Sequence, residues 1–210
     1  MMIRQRVSCM FLLGAFLQLP AAQAQSPGFT SLMPRKDVTE HWVIVGTPPE
    51  VWSVRDNVIA CAGKPRGYLR SKQKYKNYVL RAEWRFETEG WSAAPPRWPN
   101  AGFFIHATEE VGKVWPKSFV EVQGHYGEAG SLFSGGIQGA KRGPIVKDRV
   151  PFGEWDRYEI TSKDGNVKVV LNDVQVNEGW GADPAEGYIC LQSEGWPVFY
   201  RNVEIKVLPD

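Results

Sequence analysis

Past residue 25 the chain is a succession of short apolar, β-branched and aromatic runs, each broken within a few residues by Gly, Pro, Asn or Asp. The runs are Trp52-Ser53-Val54, Val58 to Cys61, Tyr78 to Phe86, Gly102 to His106 and Phe119 to Gln123, followed by Tyr158 to Thr161, Val167 to Leu171, Tyr188 to Gln192 and Phe199 to Val207. No segment repeats its apolar positions at a helical period. Many short strands with turn signals between them predict an all-β fold, a sandwich of antiparallel strands. Lys163-Asp164-Gly165-Asn166 and Leu171-Asn172-Asp173-Val174 read as hairpin turns, because Asp-Gly and Asn-Asp accept the left-handed conformations such turns need. With no internal repeat, low-complexity tract or linker, residues 25–210 read as one domain. Its longest irregular segments, Glu89 to Pro99 and Tyr126 to Pro151, are where a substrate rim on a rigid sandwich is expected.

Side chains alternate sides along a strand, so the polar positions can be sorted by face. In Phe119 to His125, Glu121, Gln123 and His125 fall on one side and Val120 and Val122 on the other. A carboxylate, an amide and an imidazole in a row, roughly 6–7 Å apart, match the scale of a sugar ring. In Tyr78 to Phe86, Leu80, Ala82, Trp84 and Phe86 face a core while Arg81, Glu83 and Arg85 face away. Asn100, Gly102, Phe104 and His106 share a side against Ala101, Phe103 and Ile105, and Gln192 and Glu194 share one against Leu191. If these strands are neighbours in a sheet, one concave surface holds Glu83, Arg85, Asn100, His106, Glu121, Gln123, His125, Gln192 and Glu194. Arg81, Glu83 and Arg85 read equally well as a solvated face of cross-strand ion pairs.

Residues 1–24 have the form of a signal peptide: Arg4 and Arg6, an apolar run from Met10 to Leu17, and Ala22-Gln23-Ala24 as a small-x-small cleavage site. The run is shorter than the roughly 20 residues a membrane span needs, so a periplasmic or secreted protein without a membrane anchor is expected. The formal charge of +2 falls to zero without Arg4 and Arg6, which argues against binding a nucleic-acid backbone. Cys61 and Cys190, both in strand-like segments, are either buried thiols or a bridge. Of nine tryptophans, Trp42, Trp52, Trp84, Trp155 and Trp196 sit in or beside strands and read as core. Trp91, Trp98 and Trp115 lie in loops beside the polar strands, where a ring either stacks on a sugar or covers the core. Acidic, amide and aromatic groups around a groove suit a small carbohydrate. No phosphate loop, Gly-x-Ser-x-Gly elbow, Cys-x-x-Cys or His-Glu-x-x-His is present, and nothing in the chain signals a protein partner.

Several ordered segments carry a family resemblance: Gly28-Phe29-Thr30-Ser31-Leu32 with Trp42, Trp52 to Ile59, Tyr68 to Lys72 with Tyr75 to Trp84, and Pro99 to Phe104. Trp115-Pro116-Lys117-Ser118 through Gln123, Gly187 to Gln192 and Phe199 to Val203 continue the series. Together they resemble the 3-keto-disaccharide hydrolase domain family across nearly all of residues 25–210. The resemblance implies a concanavalin A-like jelly roll and cleavage of glycosides already oxidised to a ketone at C3, by elimination and in some members hydration of the resulting glycal. Such chemistry needs a base at C2, an acid or water at the leaving oxygen and positive charge near an enolate, not the paired carboxylates of ordinary glycosidases. Glu121 or His125 is then the expected base and His106 an alternate acid or base. Asn100, Gln123 and Gln192 are expected to meet hydroxyls or the enolate, with Glu194, Arg85, Glu83, Trp98, Trp115 and Lys117 as further substrate contacts. A divalent cation on Glu121 and a histidine would supply the positive charge. The chain departs from the family pattern at His106, where Arg is common, and at Glu194, where His is common. The alternative from another class is a non-catalytic, lectin-like glycan-binding module.

Overall fold

The computed structural model describes residues 26–89, 99–147 and 149–210. The expected signal segment, Trp91 and Trp98 lie outside them. Fourteen strands form the described chain: β1 Thr30–Ser31, β2 Trp42–Val45, β3 Trp52–Arg55, β4 Val58–Cys61, β5 Gly67–Tyr75, β6 Tyr78–Phe86 and β7 Gly102–Ala107 make the first half. β8 Val120–Gln123, β9 Leu132–Phe133, β10 Asp156–Lys163, β11 Asn166–Leu171, β12 Val174–Gly179, β13 Gly187–Ser193 and β14 Val198–Val207 make the second. Two antiparallel sheets result. One runs β12-β11-β10-β6-β14-β4-β3 with β1 on β14, and the other runs β2-β5-β13-β7-β8-β9.

The tight hairpins follow from turn chemistry. Asp164 and Gly165 between β10 and β11, and Asn172 and Asp173 between β11 and β12, all have positive φ, the conformation that matches the twist of a two-residue hairpin. The period-two pattern then buries one face of each strand: β6 puts Tyr78, Leu80, Ala82, Trp84 and Phe86 in the core between the sheets. Trp84 stacks on Tyr158 with ring centroids 4.3 Å apart, and Phe103 meets both edge-on from the opposite sheet. Packing of this density is what makes the sheets a rigid mount for side chains on their outer faces.

Cys61 on β4 and Cys190 on β13 belong to different sheets, and both are buried free thiols.

A second, smaller apolar cluster lies on the outer face of the six-stranded sheet. Tyr68, Phe104, Ala107 and Cys190 are fully buried there beneath Val45, Trp115, Phe119 and Tyr188. Trp115 and Phe119 come from the excursion between β7 and β8, which is tied back on itself by the Val111–Pro116 bridge and the Lys117 N–H to Glu110 O bond of 2.7 Å.

Candidate functional site

The polar positions sort onto three surfaces rather than one. On β8, Val120 and Val122 point into the core and Glu121 and Gln123 to the outer face of the six-stranded sheet, as alternation requires. β8 pairs with β7 so that Glu121 stands opposite Phe104 and Gln123 opposite Gly102, and β7 pairs in turn with β13. Gln192 on β13 reaches across this neighbour and donates its Nε2 hydrogen to Glu121 Oε1 at 3.0 Å. The crossing depends on Gly102: a Cβ there would lie 2.7 Å from Gln192 Oε1. The missing side chain clears the path between the amide and the carboxylate.

Glu194 follows β13 on the same side as Gln192. Burial, reinforced by the negative charge of Glu121 and opposed by Arg66, pushes its carboxyl up to about 7. Burial also raises Glu121, while the Gln192 amide holds it down. Two carboxyl groups in one electrostatic field with different partners are the arrangement that separates an acid from a base. On Glu121 itself the amide favours the charged form.

Several further polar atoms on this side of the molecule are buried without a partner among the described residues: Gln192 Oε1, Asn100 Oδ1, Tyr68 Oη and Arg70 Nε. Asn100 leads into β7, and Tyr68 and Arg70 lie on β5. Tyr68 and Arg70 were not among the sequence candidates, because Tyr68-Leu69-Arg70 reads as ordinary alternation until β5 is known to flank β13.

Three expectations are corrected. His106 does not share the face of Phe104. Its φ of 53° marks a bulge in which Tyr188 pairs with Ala107 but Cys190 with Phe104, and the extra residue turns the imidazole inward. There, fully buried, Nε2 lies 2.8 Å from Ser162 Oγ of the other sheet, and burial lowers the ring to about 4. Glu83 and Arg85 do lie on an outward face, but of the eight-stranded sheet. Glu83 takes hydrogen bonds from Arg201 Nε at 2.7 Å and Asn202 Nδ2 at 2.8 Å, and Arg85 lies 4.5 Å over the Phe199 ring. A groove runs along that face past Arg81, Glu83, Glu159, Arg201 and Glu204, yet those charges are spent on one another. Finally, the row on β8 ends at Gln123, whose Oε1 accepts the His125 N–H at 2.9 Å as the chain turns. His125 Nδ1 accepts from Gly127 N at 3.2 Å, so the imidazole sits in the turn beyond β8 and not in the strand's row.

Lys117 is exposed and salt-bridged to Glu110 at 2.9 Å. Trp115 is half-buried, 5.3 Å from Phe104 and 6.3 Å from Tyr68 between ring centroids. Among the described residues no three His, Cys, Asp or Glu side chains gather as a metal site. With His106 facing the core, the pairing of Glu121 with that histidine on a cation does not fit.

Glu121, Gln192 and Glu194 thus lie together on one side of the sandwich, near the rings of Tyr68 and Trp115. The 3-keto-alpha-glucoside-1,2-lyase-like domain family matches residues 28–206. The chain belongs to that family. Membership makes this a carbohydrate-active, glycosyl-hydrolase-like domain. No curated protein matches the chain. Among solved structures, a Parabacteroides distasonis protein provisionally named a glycosyl hydrolase superposes with TM-score 0.65 at 22% identity over 87% of this chain and 94% of its own. A Bacillus licheniformis β-glucanase gives 0.59 at 10% identity, covering 88% and 100%. A carbohydrate-binding module from Bacillus subtilis gives 0.58 at 13%, covering 79% and 95%. At these identities they establish the concanavalin A-like sandwich shared by the family and this chain.

Proposed function

We propose that the protein cleaves 3-keto-glycosides by elimination at the Glu121–Gln192–Glu194 cluster. A ketone at C3 acidifies the C2 proton, so a carboxylate can remove it. The C2–H pair becomes a C2–C3 double bond and the carbonyl pair moves onto oxygen. Collapse of this enolate restores the ketone, forms the C1–C2 double bond and expels the C1 oxygen, which takes a proton and leaves as the aglycone alcohol. Addition of water across the C1–C2 double bond of the enone then gives net hydrolysis. Glu121, whose charged form accepts the Gln192 hydrogen bond, takes the C2 proton, and Glu194, half protonated near neutral pH, serves the leaving oxygen.

The observation that carries this reading is the 3.0 Å bond that ties the Glu121 carboxylate to Gln192 on a shared face with Glu194. Family membership supplies the substrate class. The test is aglycone release from a nitrophenyl 3-keto-glucoside. Glu121→Gln should lower kcat by about 10²-fold or more, and an unoxidised glucoside should be inert. Sugar binding without release by the wild type would instead support a lectin-like module, for which the similarity to a carbohydrate-binding module is the favouring observation. Export through a cleaved signal segment at residues 1–24 belongs to the same proposal, and the N-terminal sequence of the secreted protein tests it.

A further inference from the structure

We infer that Tyr68 and Arg70 are the donors that hold the C3 oxygen of the substrate while it carries the negative charge of the enolate. The inference rests on the elimination just described and names the groups that make it feasible, which the carboxylates do not do: they accept hydrogen bonds, whereas an enolate oxygen needs donors.

Both residues lie on β5, two positions apart and therefore on one face. The fully buried Tyr68 has no partner for its Oη, and Arg70 has none for its Nε among the described residues. The rest of the Arg70 side chain is fixed. Nη2 bonds Glu109 at 3.0 Å and the guanidinium lies 4.4 Å over the Tyr188 ring, which leaves Nε as the N–H that still needs an acceptor. Burying a donor without an acceptor is unfavourable, and two such donors on one face of one strand are suited to an oxygen supplied from outside the protein. Register puts them on the strand next to β13: Tyr68 pairs with Gln192, and Arg70 with Cys190 two residues before it. Burial, with Cys190 nearby and Arg70 opposing, pushes the Tyr68 phenol up to about 12, so it remains a donor throughout the neutral range. The Trp115 ring packs against Tyr68 from the excursion between β7 and β8, with ring centroids 6.3 Å apart.

In the reaction, the phenol O–H and the guanidinium N–H point at O3 as the C2 proton leaves, and they release it when the ketone reforms. They neither gain nor lose a proton overall. Their contribution therefore falls on enolate formation and is independent of the leaving group.

The experiment uses the full-length protein with nitrophenyl and methyl 3-keto-glucosides, and follows both aglycone release and deuterium exchange at C2 by NMR. Tyr68→Phe, which removes only an oxygen, and Arg70→Lys, which keeps a charge but loses Nε, are compared with the wild type. Each variant is expected to lose about 10²-fold in kcat, with KM nearly unchanged and C2 exchange slowed in proportion for both leaving groups. Thermal midpoints within a few degrees of the wild type exclude a folding defect. Wild-type rates in both variants, or slowed release with undiminished exchange, would overturn the assignment. A wild type that neither exchanges nor cleaves would remove the elimination reading and this inference with it.

Discussion

Gln192→Leu isolates the bond on which the site turns. Leucine approximates the glutamine volume and keeps the strand, but removes the Nε2 hydrogen that sits 3.0 Å from Glu121 Oε1. A hydrogen bond to a charged group contributes about 1.5–3 kcal/mol, and one pKa unit corresponds to about 1.4 kcal/mol. Glu121, already raised by burial, should therefore rise further when that hydrogen bond is lost. Glu194 should move the other way. Part of its elevation to about 7 comes from the charge on Glu121, and that contribution fades once Glu121 protonates. The two carboxyl groups titrate as a coupled pair, so the measured quantities are the two apparent values of the pair. Carbon-13 labelling of the glutamate carboxyls, with Glu121→Gln and Glu194→Gln for assignment, follows both by NMR. The wild-type separation should shrink in Gln192→Leu, and a bell-shaped kcat profile should narrow from both sides. An unchanged Glu121 titration would show that the amide does not hold the carboxylate, and the division of roles between the two acids would fall.

Three further outcomes follow from burial and backbone geometry. Glu194 has a folded pKa above its unfolded value near 4.5, so the folded state binds its proton more tightly and stability declines as pH rises from about 4.5 to about 7; Glu194→Gln should be more stable than the wild type at pH 8 than at pH 5, by about 1–2 kcal/mol after screening at this partly exposed site in denaturant unfolding. His106 has the opposite sign: depressed from 6.5 to about 4, it costs stability as pH falls through that window, so His106→Gln should flatten the acid side of a thermal-midpoint profile. In Gly187→Ala, the new Cβ would lie 2.3 Å from the His106 carbonyl carbon, and this backbone clash should cost about 1–3 kcal/mol, read as a drop of several degrees in the thermal midpoint.

How far the fold and the site could be read from the sequence depends on what kind of information each required. Alternation alone places Val120 and Val122 inside and Glu121 and Gln123 outside, and it separates Trp84 from Arg85, because these are properties of one strand. The hairpin turns at Asp164-Gly165 and Asn172-Asp173 were legible for the same reason: the required positive φ is written in the residue types. Pairing is a property of two strands, and there the reading failed. Nothing in Tyr78 to Phe86 says that β6 lies in the sheet opposite β8, so Glu83 and Arg85 were grouped with a face they never reach. The same gap hid Tyr68 and Arg70, which become neighbours of Gln192 and Cys190 only through the β5–β13 ladder.

His106 failed for a subtler reason, and its failure explains the shape of the site. A bulge inserts a residue and reverses alternation beyond it. The structural cue is Gly187, against whose backbone the carbonyl of His106 packs too closely for any side chain. The bulge removes an imidazole from the outer face and leaves the carboxyls of Glu121 and Glu194 as the titrating groups beside Gln192. A buried imidazolium near this pair would have stabilised both carboxylates and drawn their pKa values down together. In its absence burial raises both carboxyls and the charge of Glu121 raises Glu194 further, opposed by Gln192 at the first and Arg66 at the second. The Gln192 amide thus favours the charged form of one acid while the other is left near neutrality, and the chemistry proposed for this face needs that inequality.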